Sequence, residues 1–125
     1  MAPAPDPAAP PPPSVGVTIV HWNQPDRCRR TIEAFERQTI RVELVLVDNG
    51  SRAETLAELR ALRPALPIIE LGSNRGFGPT ANVGLRHLLE HTGCEFLVVA
   101  PHDALPAPDC LEKMLAAFAA RPFAG

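Results

Sequence analysis

Glu43-Leu44-Val45-Leu46-Val47-Asp48-Asn49-Gly50-Ser51 is an unbroken aliphatic run that ends in a carboxylate and then breaks at Asn-Gly. A run without polar alternation reads as a strand buried on both faces, and Asn-Gly reads as a turn. Upstream, Val15-Gly16-Val17-Thr18-Ile19-Val20 is a second run of the same kind. The segment from Pro25 to Gln38 lies between them and reads as a helix. Pro25 suits its first turn, Asp26 favours its positive end, and Cys28, Ile32 and Phe35 share a face. Downstream, Ser51-Arg52-Ala53-Glu54 has the form of a capping box for a helix with Leu56, Leu59 and Leu62 on one side, ended by Pro64. Ile68 to Leu71 gives a third strand, and a glycine-rich connection runs from Gly72 to Gly78. Pro79 starts a third helix that stops near Gly93, Phe96 to Ala100 is a fourth strand, and Leu111, Met114, Leu115 and Phe118 mark a fourth helix.

Strand–helix units in series predict an α/β fold: a mostly parallel sheet with helices on both faces. Met1 to Pro13 is almost entirely Pro and Ala and reads as a disordered leader, with a proline-rich docking ligand as the alternative. The ordered domain is expected over residues 14–125. Of the 125 residues 46% are hydrophobic and 21% charged, enough for a single core. The net charge of -2 gives no electrostatic case for nucleic acid or an anionic membrane as main partner. No apolar run approaches the ~20 residues of a spanning helix, and no secretory signal precedes the domain. A cytoplasmic chain is the expectation. Cys28, Cys94 and Cys110 lack C-x-x-C spacing and read as small thiols in a reducing compartment.

Open parallel sheets bind ligands at the carboxyl ends of their strands. The segments expected there are His21-Trp22-Asn23-Gln24-Pro25, Asp48-Asn49-Gly50-Ser51, Asn74-Arg75-Gly76-Phe77-Gly78 and Pro101-His102-Asp103-Ala104-Leu105-Pro106. Each has a bland reading: turn chemistry at Asp48, a helix-approach residue at Asp103, packing at Trp22. Together, two carboxylates on one rim and a loop before a helix N-terminus suit a nucleotide. One carboxylate accepts from a base or ribose, the other holds a divalent cation on a diphosphate, and helix N–H groups attract the anion.

Val17 to Asn23, Leu44 to Ser51 and the run Asn74 to Gly84 resemble family 2 glycosyltransferases of the GT-A fold. The typical pattern is a strand ending in W-N or Y-N, then V-D-N-G-S, then N-x-G-F-x-x-x-x-N-x-G, the last typical of a rhamnosyltransferase-like branch. The resemblance implies that Asp48 recognises a uracil or thymine base and that Thr18, Val20 and Asn23 line the nucleotide pocket. It implies that Asn74, Gly76 and Asn82 shape the sugar side, and that Asp103 ligates Mg²⁺ or Mn²⁺. The implied ligand is a UDP- or dTDP-type nucleoside-diphosphate sugar, and the acceptor a glycan or lipid, at the membrane periphery where it is a lipid. Pro101 stands at the first position of the family's D-x-D, with His102 as the alternative donor of a ligand. The resemblance also implies that the acceptor half and its acidic base lie beyond this chain. No catalytic residue is therefore assigned, and the chain alone is expected to turn over poorly. A non-catalytic nucleotide-binding or regulatory domain of the same fold is the second reading. An unfinished sheet edge also allows a homodimer.

Overall fold

A computed structural model describes residues 15–121 of the chain. The Pro/Ala-rich leader, Met1 to Pro13, lies outside the described residues.

Eight elements alternate: β1 (Val15–His21), α1 (Pro25–Glu36), β2 (Val42–Asp48), α2 (Ala53–Leu62), β3 (Ile68–Glu70), α3 (Phe77–His91), β4 (Phe96–Pro101) and α4 (Cys110–Ala120). The four strands form one sheet in the order β3-β2-β1-β4, and every pairing is parallel. β1 and β2, the most aliphatic strands, take the two central positions because both of their faces must leave water. Register is set from end to end: Val15 pairs with Val42, and His21 pairs with Asp48. All four carboxyl ends therefore fall on one rim.

The sheet is covered on both faces, as the alternation predicts. On one face Val15, Val17, Ile19 and Leu46 pack with Cys28, Ile32 and Phe35 of α1, Leu59 of α2 and Leu111 of α4. Fully burying such a side chain contributes about 1.5–3 kcal/mol. Gln38 fastens α1 to α4 here: its amide donates to the Ala107 carbonyl at 2.8 Å and accepts from the Leu111 N–H at 3.0 Å. Cys28 is fully buried, and burial, then the nearby Asp48 charge, push its thiol up to about 12. A thiol so placed is a packing group.

α3 covers the opposite face. A Cβ on Gly84 would overlap Thr18 Oγ1 and come within 2.6 Å of Thr18 Cβ and 3.0 Å of Val47 Cγ2. The missing side chain lets the α3 backbone lie directly on β1 and β2. Thr18 is consequently sealed, 0% exposed, and its hydroxyl has no hydrogen-bond partner among the described residues.

Two local expectations are corrected. Ser51 does not cap α2, which starts at Ala53 with Arg52 as its flanking residue and no side-chain cap. The Ser51 hydroxyl is engaged by Asp48, and the Arg52 N–H goes to Asn23 Oδ1 at 2.9 Å. α3 starts at Phe77, two residues before Pro79, which the first turn of a helix tolerates because its N–H groups have no intrahelical acceptor.

Gly84→Ala is expected to destabilise the chain by about 1–3 kcal/mol through overpacking against Thr18. Adding Thr18→Ala should recover part of that loss, whereas Thr18→Val alone should be neutral or stabilising, because it removes a buried hydroxyl that bonds to nothing. Urea unfolding of the wild type and these three variants measures this. A fully stable Gly84→Ala would show that α3 does not rest on the sheet as described.

Candidate functional site

The rim is one hydrogen-bonded assembly built around Asp48. Its Oδ1 accepts from His21 Nδ1 at 2.8 Å and from the Ser51 hydroxyl at 2.6 Å, and its Oδ2 accepts from the Ser51 N–H at 2.8 Å. The donors define the tautomer of His21. Its Nε2 accepts from the Gln24 N–H at 3.0 Å, so the ring proton sits on Nδ1 and points at Asp48. Ser51 Oγ in turn accepts from the Asn23 N–H at 2.9 Å. This bond holds Asn23 at φ 48, a left-handed conformation that asparagine tolerates better than most residues. The end of β1 and its loop are thus tied to the end of β2 and its loop at several points.

A second knot ties the β2 loop to the glycine-rich loop. Asn49 Oδ1 accepts from the Arg75 N–H at 2.7 Å and from the Thr80 hydroxyl at 2.8 Å, while Asn49 Nδ2 donates to Asn74 Oδ1 at 3.2 Å. Asn74 Oδ1 also accepts from the Gly76 N–H at 3.0 Å. Gly50 makes the close passage possible. It has φ +89, and a Cβ there would lie 2.5 Å from the Ser73 carbonyl carbon and 2.7 Å from the Asn74 nitrogen. The β4 loop joins through His102, whose Nδ1 accepts from the Trp22 N–H at 3.3 Å and whose carbonyl accepts from Thr31 Oγ1 at 2.8 Å. The His21 and His102 rings meet edge to face at 5.6 Å.

Electrostatics follows from these contacts. Burial alone would push the Asp48 carboxyl up, but hydrogen bonds from His21 and then Ser51 outweigh it and hold it below the ordinary range. Burial, then His21 and Arg27, hold His102 below the ordinary imidazole range against the pull of Asp103.

The residues singled out from sequence separate into two sets. Asn23, Asn74, Gly76, Asn82 and Asp103 have surface at or near the rim. Thr18 and Val20 do not: both are buried on the α3 face, Thr18 beneath Gly84, so neither lines an open pocket. Asp48 is 1% exposed, and both of its oxygens are engaged. It lies on the same rim as Asp103, with β1 between their strands, but it does not present a free carboxylate to a crevice. Sequence reasoning treated Asn49 as turn chemistry and Trp22 as packing. Asn49 is buried and organises two loops, and Trp22 stands 47% exposed on the rim, with Phe77 50% exposed at the start of α3. A polar side chain next to an N-x-G loop, and an aromatic residue just past a strand end, were the signals available for these two.

The metal question turns on donors. Pro101 brings no side-chain ligand, and among the described residues no group of three or more His, Cys, Asp or Glu converges. The acceptor lone pair of His102 Nδ1 is occupied by Trp22 N–H. Asp103 remains, exposed and with no hydrogen bond or ion pair among the described residues. One carboxylate suits Mg²⁺ or Mn²⁺ carried in on a diphosphate, whose oxygens and waters complete the shell; it does not suit a cation held by the protein alone.

Fold and rim together define an α/β chain with a covered parallel sheet whose loops gather at the strands' carboxyl ends, where such sheets bind ligands. Residues 17–125 match Glycosyl transferase family 2, and the chain belongs to that family. The solved structures agree in fold. The mannosyltransferase PcManGT from Pyrobaculum calidifontis, in complex with GDP-Man and Mn²⁺, superposes with TM-score 0.73 at 29% identity over 93% of this chain and 34% of its own. S. aureus TarS 1–349 in complex with UDP gives TM-score 0.72 at 21% identity over 87% of this chain and 33% of its own. Longer TarS gives 0.70 at 21% identity, with 86% and 20% covered. The chain thus spans about a third or less of the length of these structures. No curated protein matches the chain.

Asp48→Asn should cost about 3 kcal/mol, because it puts an amide where three donors converge. The sign with pH follows from the lowered carboxyl. Its contribution is fully present above the unfolded value of about 3.9 and is lost as pH falls through the lower folded value. Chemical denaturation should therefore show a gap between wild type and Asp48→Asn that is constant from about pH 5 upward and narrows below about pH 4. A gap that widens on acidification contradicts the assignment.

Proposed function

We propose that this chain is the donor-binding portion of an inverting glycosyltransferase and takes a nucleoside-diphosphate sugar at the rim formed by the β1, β2 and β4 loops and the Asn74–Gly76 turn. The observation that carries the reading is that these loops are cross-bonded into one rigid edge with Asp103 left free. Family membership and a fold shared with structures that hold GDP-Man and UDP support it. Uridine and thymidine diphosphates are the donors first expected, and the GDP-Man complex adds guanosine to the set worth titrating. The Asn74 to Gly84 pattern supports a rhamnosyltransferase-like donor class.

In this reading Trp22 offers an exposed ring for the base to stack on. Asp48, Ser51 and His21 hold the β1 and β2 loops in place so that Asn23 and the Trp22 backbone do not rearrange on binding. Asp48 acts on the base through that framework. Gly76, at φ +82, lets the chain approach the sugar side without a side chain in the way, and Asn82 projects from the first turns of α3 beside it. Asp103 would hold a Mg²⁺ or Mn²⁺ ion on the diphosphate, and the cation would neutralise charge on the leaving group. The carboxylate that would activate the acceptor hydroxyl, on a glycan or lipid, is not assigned to a residue of this chain. No helix among the described residues is long and apolar enough to cross a membrane, and we read the site as cytoplasmic, peripheral to the membrane where the acceptor is a lipid.

Pro101 favours a second reading, a nucleotide-binding domain without transfer chemistry. It pairs with Val20 in the sheet and occupies the strand end where a first metal-binding carboxylate would otherwise stand. Trp22 is the single tryptophan of the chain and reports directly on the rim. Titration with UDP, dTDP and GDP should quench its fluorescence in the presence of Mn²⁺. Asp103→Ala should weaken the metal-dependent part by about tenfold or more, some 1.4 kcal/mol. Binding that ignores both metal and Asp103 would favour the second reading, and no binding of any nucleotide would end the first.

A further inference from the structure

Beside Asp103, on the side of α1, lies a cleft of about 240 Å³ lined by Arg27, Arg30, Asp103 and Leu105. Arg27 and Arg30 are three residues apart in the first turns of α1, so they project from one face of the helix. Their state differs from that of other arginines of the chain. Arg29, on another face of the same helix, is paired with Glu33 at 3.1 Å, Arg63 with Glu36 at 2.9 Å, and Arg60 with Glu70 at 3.0 Å. Arg27 and Arg30 have no ion pair or hydrogen bond among the described residues, even though Asp26 and Asp103 are close by in sequence or in the cleft. Two uncompensated guanidinium groups share a concave wall with one carboxylate, which leaves the cleft net positive. Leu105, 65% exposed, supplies an apolar edge.

We propose that this cleft is an oxyanion site for a phosphate group carried by the acceptor substrate, with Arg27 and Arg30 as its forks and Leu105 against the carbon that bears the phosphate. The proposal rests on the donor-site reading for the identity of the acceptor, but not for the anion site itself. Guanidinium groups match phosphate oxygens two at a time, which an ammonium does not, and α1 also directs the positive end of its dipole toward this end of the sheet. The cleft adjoins the β4 part of the proposed donor rim and shares Asp103 with it. It lies at the β4 edge, whereas the Asn49–Asn74 knot follows β2 and β3 at the other edge. An acceptor phosphate held there would face the donor diphosphate across Asp103, and a cation on that carboxylate would screen the repulsion between them.

The test uses the chain as it stands, with inorganic phosphate and glycerol phosphate as probes, followed by ³¹P line broadening at low salt. Binding is expected for both, tighter for glycerol phosphate, weaker as salt rises, and reduced about tenfold or more by Arg27→Gln with Arg30→Gln. Both side chains are exposed, so the double variant should keep the wild-type circular dichroism and Tm. A second arm adds UDP or GDP with Mn²⁺. Phosphate bound together with the nucleotide supports a separate acceptor site, whereas mutual displacement assigns the arginines to the donor diphosphate and overturns the proposal. Absence of phosphate binding, or binding unchanged in the double variant, also overturns it. Phosphate binding that depends on the arginines in a chain that binds no nucleotide would leave the anion site standing and refute the donor reading instead.

Discussion

A carboxylate buried at the end of a central strand is costly unless every lone pair it turns inward meets a donor. Asp48 meets that condition with three, from His21 Nδ1, the Ser51 hydroxyl and the Ser51 N–H. The two residues that supply them stand at different parts of the rim. His21 ends β1 and receives Gln24, and Ser51 receives Asn23, whose side chain receives Arg52 at the start of α2. One charge thus fixes the exit of β1, the exit of β2 and the entry to α2. Without it, a loop carrying a left-handed asparagine and an exposed tryptophan would have little to hold it.

The other face of the sheet imposes a complementary constraint. α3 can deliver the Asn74–Gly76 turn to the rim only if its axis lies close to β1 and β2, and Gly84 over Thr18 sets that distance. The orphaned Thr18 hydroxyl is the cost of this approach. The two constraints meet at Asn49, which follows Asp48 directly and bonds to Arg75 and to Thr80 of α3. Chemistry on the α1 face and packing on the α3 face therefore position one set of loops.

Much of the architecture was legible because it follows from periodicity. Aliphatic runs of strand length separated by amphipathic segments admit few arrangements other than a covered parallel sheet, and the element ends fell within a few residues of those expected. The rim was legible only as a location. A carboxylate after an aliphatic run marks a strand end, but a sequence does not say whether its oxygens turn outward to a ligand or inward to a histidine 27 residues earlier. Ser51 shows the same limit, since S-x-x-E describes a helix cap equally well whether or not a nearer acceptor competes for the hydroxyl. Thr18 and Val20 were misplaced for a related reason: strand residues one and three positions short of the strand end are covered by whatever helix the sheet carries, and Gly84 lets that helix lie against them. Arg27 and Arg30 look like solvated helix charges until the β4–α4 loop is laid against them.

The proton of His21 is the most direct probe of the rim. ¹⁵N-resolved NMR of the imidazole at neutral pH should show the Nδ1–H tautomer, with that proton slow to exchange and coupled across the hydrogen bond to a buried carboxylate, and with Nε2 unprotonated as an acceptor. A ring protonated on Nε2, or an Nδ1 proton exchanging freely with water, would contradict the claim that Asp48 is the internal anchor of the rim.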